Sequence, residues 1–214
     1  MRTLTVVAMQ STAALDAPSS RQPLRSIASA VRWLRHPLLL ISIALPSLSY
    51  GQSSVQDFHL SGSASIISRD CIRLTPDRPY RSGSAWFKTA FDLGRPFEMK
   101  LSIVLGEKDL DGADGIVFVF HPTIQTGARG EGMGFAGLIP SLGIEFDTYQ
   151  NRHLNEPPSD HMAFMRNGQT FHFDGRNGVV ELKNLEDGAR HPLRIVWRPK
   201  AGQLQVYLDH RLIA

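Results

Sequence analysis

The chain has 214 residues, 42% hydrophobic and 20% charged, which is enough for one sizeable core and argues against a disordered or multi-pass membrane protein. The formal charge is +3, but Arg2, Arg21, Arg25, Arg32 and Arg35 face only Asp16 within residues 1–51. The 18 basic and 19 acidic residues left for 52–214 make the body about neutral, which removes the electrostatic support for a nucleic-acid partner.

Taken in chain order, residues 1–51 read as a leader. Arg32-Trp33-Leu34-Arg35-His36 is a positive segment, Pro37 to Leu48 an apolar one, and Ser49-Tyr50-Gly51 a small-x-small cleavage site, the order of an export signal. The apolar segment is too short to span a bilayer, so no stable membrane span is expected after cleavage. A short buried or membrane-anchoring helix is the competing reading. Met1 to Ala30 is long for an n-region, which places the expected translation start downstream of Met1. The single cysteine, Cys71, allows no intrachain disulfide and is expected to be buried as a small hydrophobe.

From Phe58 onward short strand patterns alternate with turn signals, and no segment keeps a 3.6-residue period long enough for a major helix. Phe97, Met99, Leu101, Ile103 and Leu105 alternate with polar residues. The same pattern returns in Leu193, Ile195 and Trp197 and in Leu204, Val206 and Leu208. Half-buried antiparallel strands of this kind predict an all-β sandwich or barrel over 52–214. Ile116 to Phe120 is apolar throughout and reads as a strand buried on both faces. The longest irregular stretch, Pro122 to Leu142, carries Gly127, Gly130, Gly132, Gly134 and Gly137, and glycine lets a ligand approach backbone N–H groups closely. A flexible surface excursion is the alternative for that loop.

Next comes Ile144-Glu145-Phe146-Asp147-Thr148-Tyr149-Gln150-Asn151. On a strand, Glu145 and Asp147 project to one face and Phe146 and Thr148 to the other. Adjacent carboxylates raise each other's pKa unless a cation or proton lies between them. A bare Glu-x-Asp is most often a solvated acidic face. Here Asn151, Glu156 and His161 follow, and oxygen ligands with one imidazole suit a hard divalent cation beside a transition metal.

Together these pieces resemble the L-type, legume-lectin-like carbohydrate-binding domains of the concanavalin A-like superfamily, including those of exported bacterial proteins. The resemblance is carried by Gly112-Ala113-Asp114-Gly115-Ile116, by Gly130-Glu131-Gly132-Met133-Gly134-Phe135, by the Ile144 to Asn151 motif, and by Asn155-Glu156-Pro157 with His161. Leu60 to Ala64, Ile72 to Pro76 and Gly83 to Phe87 also fit, so that it covers about residues 57–214. It implies an antiparallel jelly-roll sandwich. The family continues with further strands after the segment that ends at Ala214, so a C-terminally truncated domain is expected.

The resemblance also implies roles. Glu145 and His161 would bind a Mn²⁺-like ion, Asp147 and Glu156 would bridge it to Ca²⁺, and Asn151 with the Tyr149 carbonyl would bind Ca²⁺. Asp114, following a cis peptide bond after Ala113, would accept hydrogen bonds from sugar hydroxyls; as read from the residues alone, it is a turn carboxylate. The Asn151 amide and a backbone N–H at Gly132 or Gly130 would add donors. Tyr149 would offer an aromatic face, unless its ring is core and only its carbonyl functions. The family most often has Asp where Glu156 stands, so one ion or a shifted bridge is open, with Asp160 as a substitute ligand. The expected function is metal-dependent glycan binding without catalysis, in a secreted, cell-surface or periplasmic protein; sugar preference and a homo-oligomeric state stay open. A laminarinase-type glycoside hydrolase is the enzymatic alternative, but Tyr149 stands where its second Glu is needed. A structural or adhesive module with stabilising metals is a third reading.

Overall fold

The computed structural model describes residues 2–12, 53–90, 92–109, 112–173 and 178–214, the first of these as backbone only. The candidate export signal, from Arg32 to Gly51, lies outside the described residues. Among the described residues there are thirteen strands: β1 Arg2–Thr12, β2 Phe58–Gly62, β3 Ser65–Ser68, β4 Cys71–Pro79, β5 Gly83–Phe87, β6 Phe97–Val104 and β7 Gly115–Phe120 come first. They are followed by β8 Leu142–Asp147, β9 His161–Arg166, β10 Val180–Glu181, β11 His191–Arg198, β12 Gln203–Leu208 and β13 Arg211–Leu212. One sheet runs β13-β12-β11-β6-β1-β4-β3, a second runs β10-β9-β8-β7, and β2 pairs with β5. All pairings are antiparallel. The expected all-β sandwich is therefore present. β1, from the stretch read as leader, lies between β4 and β6.

The core sits between the two larger sheets, and strand parity fills it. Leu101, Ile103, Leu193, Ile195, Val206 and Leu208 come from one sheet, and Ile116, Phe118, Ile144, Phe146 and Met162 from the other. Each such side chain removed from water contributes roughly 1.5–3 kcal/mol. Cys71 is buried and free, as expected for a small hydrophobe. Glu98 breaks the alternation of β6 by being buried, and the Arg194 guanidinium on β11 answers its charge at 3.0 Å.

The expectation for Ile116 to Phe120 needs correction. Ile116 and Phe118 are buried in the core, but Val117 and Val119 are only half-buried and border an open cleft. An apolar run cannot by itself tell a doubly covered strand from one whose second face lines a groove.

The Pro122 to Leu142 loop is held in place by the sheet below it. Phe135 is fully buried and lies over Gly143 of β8, where an added Cβ would come within 2.9 Å of its ring. The loop closes on itself through Gly127 N–H to Gly134 O at 2.7 Å, Gly134 N–H to Ala128 O at 2.7 Å and Ala128 N–H to Ala136 O at 2.9 Å. This internal bonding makes the loop a wall and not a loose excursion.

Candidate functional site

The site forms where the ends of β7 and β8 meet the loop that joins β8 to β9. In β8, Ile144 and Phe146 point into the core, so Glu145 and Asp147 share the opposite face, and both are at most 1% exposed. Antiparallel register sets Gly115 opposite Asp147 and Asp147 opposite His161. At Gly115 a Cβ would lie 2.2 Å from the Phe146 carbonyl oxygen, so only glycine lets β7 come this close. This proximity brings Asp114, at the mouth of β7, alongside the acidic face of β8. The Ala113–Asp114 peptide bond is cis, as the resemblance implies. The Asp114 carbonyl accepts from the Thr148 N–H at 2.9 Å and from its hydroxyl at 3.2 Å.

The loop after β8 folds the remaining groups inward. Glu156 is 6% exposed and accepts a hydrogen bond from the Asn151 N–H, so the added methylene of Glu does reach the acidic cluster. Asp147 Oδ1 accepts from the Tyr149 N–H at 2.7 Å. Three buried oxygens, Asp114 Oδ1, Asp147 Oδ2 and Asn151 Oδ1, have no hydrogen-bond partner among the described residues. Buried polar atoms are rarely left so.

Electrostatics point the same way. Burial pushes the Asp147 carboxyl well up, and the neighbouring Glu145 and Glu156 charges push it further. Glu156 rises to about 7, chiefly by burial, against the Asn151 hydrogen bond that holds it down. Burial raises Asp114 too, helped by Glu131, and raises Glu145 despite its bond to His172. Several carboxyls sharing one dry site resist ionisation unless a cation joins them.

At the far end, Glu145 meets two imidazoles. His161 Nε2 is 3.9 Å and His172 Nε2 3.0 Å from Glu145 Oε2, and the two rings face each other edge to face. Burial, then the His172 charge, lowers His161 to about 4. Burial alone would lower His172, but the hydrogen bond and charge of Glu145 outweigh it and the group is raised. One ligand atom from each of Glu145, His161 and His172 lies within 4.8 Å of the others. This donor set fits a transition metal, and the orphaned oxygens of Asp147 and Asn151 fit a hard cation beside it.

The predicted residues thus divide. Glu145, Asp147, Asn151, Glu156 and His161 are all buried at one place. Tyr149 is 38% exposed, so its ring is not core. Gly130 lines the cleft of about 320 Å³ together with Asp114, Val117 and Val119. Gly132 does not: its N–H turns back to Arg129 O at 3.4 Å, and a Cβ there would meet the Ala136 and Ala128 methyls at 2.9 and 3.2 Å. Of the two glycines, Gly130 is the one with open space. Asp160 faces away from the cluster, where its Oδ2 accepts from the Leu185 N–H at 2.6 Å.

Two residues escaped the sequence. His172 lies eleven positions after His161 in a segment without strand pattern, and no spacing rule links them. Glu186 is 4% exposed and abuts Gly112, where a Cβ would fall 1.5 Å from its Oε1. Burial, with Asp160 and Asp109, raises its pKa to about 8.

The legume lectin beta-barrel domain family matches residues 51–213. A galactose-binding lectin of Arachis hypogaea is 31% identical over 148 residues, which are 58% of this chain and 50% of that protein. The pesticidal crystal protein Cry22Aa of Bacillus thuringiensis is 37% identical over 102 residues, 46% of this chain and 14% of that protein. The chain therefore spans half or less of the length of these curated relatives. Among solved structures, the lectin from Bauhinia forficata in complex with GalNAc superposes with a TM-score of 0.61 at 20% identity, over 72% of this chain and 73% of that one.

Proposed function

The chain belongs to the legume lectin beta-barrel domain (L-type lectin) family, and on that premise we propose that it is a metal-dependent, non-catalytic carbohydrate-binding domain of an exported protein. Asp114 is the acceptor for two sugar hydroxyls, since a charged carboxylate makes stronger hydrogen bonds than a neutral group. The Asn151 side-chain amide and the Gly130 backbone N–H are the donors, and the exposed Tyr149 ring is the stacking face. Glu145 and His161 would hold a transition-metal ion, Asp147 and Glu156 would supply carboxylate oxygens to it and to Ca²⁺, and Asn151 with the Tyr149 carbonyl would supply the other Ca²⁺ oxygens. When bound, the ions neutralise the buried carboxylates and fix the loop that carries Asn151. What these residues do for the sugar is orient it and supply acceptors and donors.

The observation that carries this reading is the set of three unpartnered buried oxygens on Asp114, Asp147 and Asn151. A glycosidase reading is weaker because Glu145 and Asp147 are sealed beneath the surface at 1% and 0% exposure, and retaining hydrolysis needs two carboxyls open to the scissile bond. A glycan array that includes galactosides, prompted by the galactose-binding relative, tests the function. Binding that disappears with EDTA and returns with Ca²⁺ and Mn²⁺ is expected. Glycan signals that survive chelation would remove the metal requirement, release of reducing sugar would restore the enzyme reading, and melting that depends on metal without any glycan affinity would favour a structural module.

A further inference from the structure

We propose that His172 is a direct ligand at the transition-metal position, giving it two imidazoles and shifting its preference from Mn²⁺ toward the borderline ions Zn²⁺, Co²⁺ and Ni²⁺. The inference rests on the reading above that Glu145 and His161 hold a metal. Its own basis is the orientation of two rings. His172 Nδ1 lies 2.9 Å from the Thr170 carbonyl and His161 Nδ1 3.3 Å from the Ser159 carbonyl. A carbonyl only accepts, so each Nδ1 carries the proton and each neutral ring presents its Nε2 lone pair. These two Nε2 atoms are 3.1 Å apart, and Glu145 Oε2 lies 3.0 Å from one of them. Three acceptors converge in a place where Glu145, His161 and His172 are each at most 2% exposed. Something positive must join them: a proton shared by His172, Glu145 and His161, or a metal ion in its place.

The backbone favours the metal because it fixes His172 from both sides. The His172 N–H donates to Leu154 O at 2.8 Å, and Asn155 Nδ2 donates to the His172 carbonyl at 2.7 Å. Leu154 and Asn155 belong to the loop that carries Asn151 and Glu156, so the segment bearing His172 is docked onto the ligand loop itself. Ligands whose second nitrogen is held by a carbonyl, as in both rings here, are fixed in tautomer and direction. An imidazole pair with one carboxylate suits Zn²⁺, Co²⁺ or Ni²⁺, whereas Mn²⁺ is better served by carboxylates and water.

The test uses the full chain, stripped by chelation and reloaded with Cu²⁺ as a paramagnetic probe. Electron spin-echo spectra are expected to report two imidazole nitrogens in the wild type and one in His172→Gln. In competition titrations His172→Gln should lower the Zn²⁺-over-Mn²⁺ affinity ratio by about 10–100-fold and leave Ca²⁺ affinity within a factor of about two, well short of the tenfold that 1.4 kcal/mol represents. A single imidazole in the wild-type spectrum, or an unchanged ratio, overturns the assignment and leaves His172 as a proton-sharing partner of Glu145. The wild-type spectrum decides this even where the variant does not fold. Failure to take up Cu²⁺, Zn²⁺ or Mn²⁺ at all would instead overturn the metal reading on which the inference rests.

Discussion

Thr148 donates two hydrogen bonds to one atom, the Asp114 carbonyl oxygen, from its N–H at 2.9 Å and its hydroxyl at 3.2 Å. Asp114 immediately precedes β7 and Thr148 immediately follows β8, one residue past Asp147. The carboxylate proposed to meet the sugar is thus tied by its own backbone to the strand proposed to meet the metals. On the proposed reading, an ion held at Asp147 would be coupled to Asp114 through Thr148.

Thr148→Val keeps the shape and the N–H bond but removes the hydroxyl donor. A typical side-chain hydrogen bond contributes about 1 kcal/mol, so thermal melting should fall by only ~2–4 °C for a chain of this size. Glycan affinity measured by titration should fall more than stability does, because Asp114 loses one of the bonds that orient it.

Asp114→Asn keeps the size of the side chain and removes its charge. Glycan binding should drop by at least about tenfold, the difference between charge-assisted and neutral bonds to two hydroxyls. Burial disfavours the ionised form of Asp114 in the metal-free protein, so melting of that form should be unchanged or slightly raised. Full glycan affinity in this variant would remove Asp114 from the site.

Gly115→Ala should damage the fold itself. Its Cβ would lie 2.2 Å from the Phe146 carbonyl oxygen, which is backbone and cannot rotate away. Overpacking of this kind costs typically 1–3 kcal/mol or more, read as a lowered denaturant midpoint. Metal and glycan binding should both weaken, since β7 would separate from Asp147.

Glu186 makes the metal-free protein sensitive to base. Its pKa is about 8 in the fold against 4.5 as the ordinary value, because it is buried and faces Asp160 and Asp109. A carboxyl raised in the folded state favours folding fully below its unfolded pKa, and that contribution is lost as pH rises toward the folded value. Melting temperature followed from pH 5 to 8 should therefore decline in the chelated wild type and decline less in Glu186→Gln. Parallel curves for the two proteins would show that Glu186 is not the group responsible.

Much of this arrangement was legible before any fold was known. Alternation with a period of two fixes which neighbours share a face, so Glu145 and Asp147 had to stand together opposite Ile144 and Phe146 once a strand formed there. The same rule places Leu101, Ile103, Leu193, Ile195, Val206 and Leu208 in the core. The run from Ile116 to Phe120 is apolar throughout and carries no such alternation in its residue types, so the half-burial of Val117 and Val119 was not legible there, because what covers the second face of a strand is decided by elements far away in sequence.

The amino-acid order by itself determined the all-β class, the strand parity and the shared face of Glu145 and Asp147, since these follow from local backbone geometry, while the joining of Glu156 and Asp114 to them was implied by the family resemblance. Only the tertiary structure decided that Gly130 and not Gly132 opens onto the cleft, that Asp160 turns toward Leu185, and that His172 comes within 3.1 Å of His161. Those outcomes depend on how loops close over the sheet. Loop closure answers to the packing of Phe135 on Gly143 and to the Leu154 and Asn155 bonds with His172, contacts that no local pattern along the chain encodes.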